Sequence, residues 1–210
     1  MSIIHRTTVR PTKLELLRTW LPARPWYHGS AEPDLAKAGG FRLDDPEGEV
    51  GIEFMVVGEA ASGAYLVPLT YRGAPLEGAG HALVGTMEHG VLGPRWVYDG
   101  CHDPVLTAQL TALVEGRVQA QAQSVSDTPD REVGRCYTGE GPIGALGAPE
   151  DTTESTGFAV AGGLALRVHR VLTPAAADAP PQDTVGHVTG AWEQPDGTRT
   201  RGLFATLRAA

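Results

Sequence analysis

Glycine and proline punctuate this chain so densely that extended strands and turns must dominate it. Its 210 residues include 27 glycines and 16 prolines, about a fifth of the total. Proline removes a backbone donor and glycine supplies the tight turns, so long helices have little room. The pattern predicts many short elements in a β-rich α+β fold. Hydrophobic residues make up 41% and charged residues 20%. That is enough apolar material for a core without disulfides or metal as staples.

Two stretches carry a helical period. In PTKLELLRTWL, Leu14, Leu17 and Leu21 fall on one face with Trp20 beside them, and Pro11 stands at the expected start. DPVLTAQLTALVEGRVQAQAQ, residues 103–123, is the longest helical pattern, with Asp103 as cap, Pro104 in the first turn and an apolar stripe of Val105, Leu106, Leu110, Leu113 and Val114. Strands are predicted over SIIHRTTV (2–9), Phe41–Leu43, EVGIEFMVVGEA, AYLVPLTYRG, HALVGTMEHG and PRWVYDG. Short Gly-rich loops make a meander the economical order, with Pro68 at an edge or bulge. Residues 137–157 read as a loop. Three more strand patterns follow in FAVAGGLALRVHRVL, DTVGHVTGAWEQ and TRTRGLFATLRA, the last two joined by the tight turn PDGT. TPAAADAPPQD, 173–183, reads as a low-complexity loop.

Charge excludes one class of partner. The net charge is −8, and each half carries −4, so no basic stripe tracks a phosphate backbone and nucleic-acid binding is not expected. The N-terminus lacks an apolar leader and no window approaches a membrane span, so a soluble cytoplasmic protein is expected. Cys101 and Cys136 form no framework and are expected to stay unbonded to each other.

Several residue groups invite a chemical reading, each with a plainer one beside it. Gly139-Glu140-Gly141-Pro142-Ile143-Gly144 matches a phosphate-cradling GxGxxG, but no helix follows, and Glu140 places negative charge where phosphate would sit. Only Lys13 and Lys37 are lysines, so none follows this loop to clamp a phosphate. His81, His89, His102 and Asp103 suggest a metal, yet their spacing fits no compact ligand set, and Cys101-His102-Asp103 includes a helix cap. No GxSxG occurs, and Asp44-Asp45 and Glu150-Asp151 read as solvated turns. Trp20 reads as core, while Trp26 and Tyr27 read as core or as an interaction patch. No catalytic, cofactor-binding or metal-ligating residue is assigned, and no cofactor is expected.

The runs GFRLDDPEGEVGIEFMVV, YLVPLTYRGAPL, GTMEHGVLGPRWVYDGCHDPVL and AQAQSVSDTPD resemble the N-terminal cap of bacterial maltokinases, over roughly residues 1–130. The resemblance implies a cystatin-like curved antiparallel sheet around a helix, in enzymes that phosphorylate maltose with ATP between trehalose and α-glucan. ESTGFAVAGGLALRVHRVLTP and HVTGAWEQPDGTRTRGLFATL are similar to the kinase N-lobe that follows. There Arg167 stands where the resemblance implies a phosphate-clamping lysine, and the loop 173–183 stands where it implies a helix. The sequence stops at Ala210, near the expected hinge, so the catalytic Asp and the metal-binding Asn and Asp of a C-lobe are not expected.

The expected organisation is a cap-like part at 1–102, a connecting helix and linker at 103–136, and a degenerate kinase N-lobe-like antiparallel β unit at 137–210. The expected role is a non-catalytic accessory or binding protein of trehalose, maltose and α-glucan metabolism. The alternative is a split sugar kinase completed in trans, or another α-glucan-pathway enzyme. Phe158, Leu164, Leu166, Leu203 and Phe204 are expected to form part of a contact surface, for self-association as a homo-oligomer or for a pathway enzyme.

Overall fold

The computed structural model describes residues 9–123, 125, 127–174 and 182–210. The strand expected at 2–9 and most of the loop expected at 173–183 lie outside the described residues. The elements run β1 (Val9–Arg10), α1 (Lys13–Trp20), β2 (Ala36–Leu43), β3 (Gly51–Glu59), β4 (Gly63–Arg72), β5 (Leu83–His89), β6 (Gly93–Asp99) and α2 (Pro104–Glu115). They continue with β7 (Gly134–Tyr137), β8 (Leu146–Asp151), β9 (Ser155–Val160), β10 (Leu164–His169), β11 (Val171–Leu172), β12 (Thr184–Glu193) and β13 (Arg199–Ala209). All strands join one antiparallel sheet in the order β1-β5-β6-β4-β3-β2-β12-β13-β10-β9-β8, with β11 on β4 and β7 on β12. Two short helices on a mostly antiparallel sheet make this an α+β chain.

Local chemistry accounts for the boundaries. Thr12, not Pro11, caps α1: its hydroxyl accepts from the Glu15 N–H and the Glu15 carboxylate accepts from the Thr12 N–H. Asp103 caps α2 with Pro104 behind it, as expected, but the helix stops at Glu115 rather than 123. Gly116 ends it in the left-handed region at φ +79°, where its N–H closes on Ala112 and Leu113. β2 is longer than expected because Gly39-Gly40 lies within it. A Cβ on Gly40 would sit 2.1 Å from the Phe54 carbonyl oxygen, so only glycine lets β2 and β3 pair there.

The order departs from a meander. β6, not β5, pairs with β4. Pro68 lies in an interior strand, and the sheet accommodates it by changing partners: along that edge β4 pairs with β11 at Ala64–Tyr65 and with β6 at Leu69–Arg72. Pro68 falls between the two, where a missing N–H breaks no ladder. Residues 137–157 are not a loop: they hold the end of β7, all of β8 and the start of β9. The PDGT turn does close the β12–β13 hairpin, with the Gly197 N–H donating to the Gln194 carbonyl.

Two cores lie on opposite faces of β3 and β4. Met55, Val57, Tyr65, Val67 and Leu69 face one core with Leu17, Trp20, Leu21, Trp26 and Tyr27. Phe54, Val56, Ala64 and Leu66 face the other, shared with Leu106, Leu110 and Leu113 of α2 and with Leu166, Val168, Phe204 and Leu207. Phe41 stacks on Phe54 at 4.6 Å and on Phe204 at 6.2 Å, joining β2 and β3 to β13. The contact surface expected of Phe158, Leu166 and Phe204 is therefore corrected: these three are buried in the chain's own core, while Leu164 and Leu203 are half-buried.

Candidate functional site

Asp99 ends β6 and its carboxylate accepts from the Cys101 N–H, which opens a short turn at Gly100–His102. That turn delivers His102 and the α2 cap Asp103 to a cleft of about 570 Å3. Leu76, Glu77 and His81 line it together with Leu146 and Pro149 of β8, Cys101 and Phe158.

His81 Nε2 and His102 Nδ1 are hydrogen-bonded at 3.1 Å, with their rings edge-on at 4.8 Å. One ring nitrogen donates and the other accepts, so at least one imidazole is neutral there. Burial, and then neighbouring His81, hold His102 below its ordinary pKa against the pull of Asp99. His89 does not join them: it sits at the far end of β5, where its Nδ1 accepts from the Val91 and Leu92 N–H groups. Asp103 is committed elsewhere, accepting two 2.7 Å bonds from Arg72 and one from the Val105 N–H. Burial pushes its carboxyl up, and these bonds bring it below the usual range. Among the described residues no cluster of three metal-ligating side chains forms.

Cys101 and Cys136 are both free, the first buried and the second exposed on β7. Burial pushes the Cys101 thiol far up, which keeps it protonated and un-nucleophilic.

Asp99, which opens the Gly100–His102 turn, also takes part in a fully buried ion pair. Arg170 Nη2 donates to both Asp99 oxygens at 2.7 and 2.6 Å, and its Nε donates to Thr156 Oγ1 at 2.7 Å. Its guanidinium lies 4.8 Å from the Trp26 ring centroid. Burial alone would lower the Arg170 pKa, but Asp99 raises it further, so it stays charged. This pair ties the strand ends of the second half to β6 and to the segment after α1.

The structure places the remaining motif residues in plainer roles. The GxGxxG connects β7 to β8 with no helix after it. Its Gly141 carbonyl accepts from the Tyr137 hydroxyl, and its Ile143 N–H donates to Glu115 of α2. Asp45 is not solvated but buried, accepting from the Glu47, Glu49 and Val50 N–H groups. Glu150 and Asp151 lie on β8 rather than in a turn. Trp26 and Tyr27 are 0% and 8% exposed and form no patch. Arg167 points outward from β10 and is exposed.

Sequence reasoning missed the Arg170–Asp99 ion pair and a second buried polar centre. Glu53, on the interior strand β3, accepts from Lys13 Nζ at 2.5 Å, Tyr71 OH at 2.6 Å and Gln123 Nε2 at 3.0 Å. Burial pushes its carboxyl up, and Lys13, Tyr71 and Lys37 bring it below its ordinary value. Lys13 is bonded to this carboxylate, and Lys37 on β2 acts on it only through its charge. The signal was a lone Glu inside the apolar run GIEFMVV.

Against this geometry, residues 20–103 match the family described as the maltokinase N-terminal cap domain. The matched stretch runs from the last residue of α1 to the cap of α2 and contains β2–β6. No curated protein matches the chain. Among the described residues no helix is long and apolar enough to cross a membrane.

Proposed function

We propose that the chain is a non-catalytic accessory or binding protein of trehalose, maltose and α-glucan metabolism, and the match over residues 20–103 is the observation that carries this reading. In it, residues 1–102 are a cystatin-like cap, 103–136 a brace, and 137–210 a remnant of a kinase N-lobe that packs on the cap through the shared core. Two features support the absence of phosphoryl transfer by these residues. The GxGxxG loop spends an amide on Glu115 instead of leaving it for phosphate. Arg167 stands where the clamp lysine is expected, and no ion pair among the described residues gives it a glutamate partner.

The test combines an assay and a capture. Incubation with magnesium-ATP and maltose is expected to yield no phosphorylated sugar. Immobilised protein is expected to retain a maltokinase or another trehalose-pathway enzyme from its host. Phosphorylated maltose formed by the purified chain, and lost in Arg167→Gln, would overturn the non-catalytic reading.

A further inference from the structure

The outward face of the second half of the sheet carries a group of cations that form no ion pair among the described residues. Register sets it out. Thr206 on β13 faces Arg167 on β10 and His187 on β12. Arg208 lies two residues along β13, on the same face, opposite Ala165 and Thr184. His169 lies two residues along β10, and its Nε2 is 3.1 Å from Thr206 Oγ1.

Thr206 is only 3% exposed although its face is the outer one. Long side chains at directly opposite and diagonal positions across an antiparallel pair come within reach of one another, which groups Arg167, Arg208 and His169 around Thr206 on this face. The electrostatics agree: burial first, then Arg167 and Arg208, together lower the His169 pKa to about 4, so both guanidinia act on one imidazole. His169 is therefore neutral at pH 7 and brings no charge of its own.

Six ion pairs form among the described residues, and neither Arg167 nor Arg208 belongs to one. The nearest carboxylate along the row is Glu150, two strands away beyond Gly157, and it is exposed. Asp183 precedes Thr184 at the other side and pairs with neither arginine. Two guanidinia with no ion-pair partner among the described residues, beside a hydroxyl and two imidazoles in a chain of net charge −8, form a local positive site. Guanidinium forks suit the tetrahedral oxygens of a phosphate.

We infer that Arg167, Arg208, Thr206 and His169 form a binding site for a phosphate-class oxyanion. The site lies outside residues 20–103 and requires no phosphoryl transfer, so although Arg167 also enters the accessory reading, a failed phosphate titration leaves that reading standing. The full chain is titrated with inorganic phosphate and with glucose 1-phosphate, with glucose as the uncharged control, following the His169 ring by NMR. Saturable shifts at roughly millimolar phosphate are expected, with the His169 pKa moving up as the anion offsets the arginines.

Arg167→Gln and Arg208→Gln are each expected to weaken binding about tenfold or more. Arg131→Gln, an exposed arginine elsewhere, leaves binding unchanged. Equal affinity for the two phosphates assigns the site to the free oxyanion, and tighter glucose 1-phosphate assigns it to a phosphoryl group on a small molecule. No saturable shift, shifts that survive in the double variant, or glucose binding as well as glucose 1-phosphate would overturn the proposal.

Discussion

β3 and β10 belong to one antiparallel sheet yet live in different surroundings. On β3 every residue from Ile52 to Glu59 is buried, because α1 and the Trp20–Tyr27 segment cover one face while α2 and the second half of the chain cover the other. On β10 only Leu166 and Val168 are buried, while Arg167 is exposed and His169 half-buried. The first region spends both faces on stability. The second keeps one face open, and there the side chains are polar and cationic. What an antiparallel strand can do is thus set by how many layers cover it.

The arginines three residues apart sharpen this contrast. Arg170 is sealed with Asp99 and Thr156, and Arg167 is exposed with no carboxylate partner among the described residues. Arg170→Ala leaves the Asp99 carboxylate buried without its partner and is expected to cost about 3–5 kcal/mol, read by urea denaturation. A loss below about 1 kcal/mol would mean that the two halves do not depend on this pair.

Next in size is Leu166→Ala, which removes a fully buried side chain from the inner face and is expected to cost about 2–5 kcal/mol. An unchanged unfolding midpoint would place β10 outside the core.

Acidification reads the half-buried imidazoles. The folded-state pKa of His169 lies at about 4, against 6.5 for an unhindered imidazole, and those of His102 and His187 are also lowered. Between these values the unfolded chain binds more protons, so this contribution is full above pH 6.5 and is lost as pH falls towards about 4. Thermal melts at pH 7 and pH 5 are expected to show the lower Tm at pH 5. His169→Gln should shrink the difference, and an unchanged difference would remove His169 from the account.

The smallest effect is expected for Arg167→Gln, next to Leu166 but on the open face: stability within about 0.5 kcal/mol of the parent by the same denaturation. A large loss would show that the outer face is structural after all.

Periodicity and local chemistry made much of the chain readable. α1, the start of α2, β3 to β6 and the final hairpin follow from apolar spacing, caps and turns that neighbouring residues supply. Elements lacking such a signal were not readable. β8 is built from LGAPED, whose glycine, proline and acids are poor strand formers, and it is a strand because β9 offers a ladder. The end of α2 was misplaced because the apolar pattern continues past Gly116, which stops the helix by its φ.

The candidate sites divide in the same way. Their residue types are visible in the sequence, but their partners lie far along the chain: His81 with His102, Lys13 with Glu53, Arg170 with Asp99, Arg167 with Thr206.

The sequence by itself determined an acidic, β-rich α+β chain with two short helices and a maltokinase-cap-like stretch. These are properties of composition, spacing and near neighbours, and they need no knowledge of what packs against what. Only the tertiary structure decided that Trp26 is core, that Lys13 bonds to Glu53, and that Arg170 is buried while Arg167 is not. Those outcomes depend on which strands pair and which layers cover them, and strand pairing joins residues whose separation no local period records.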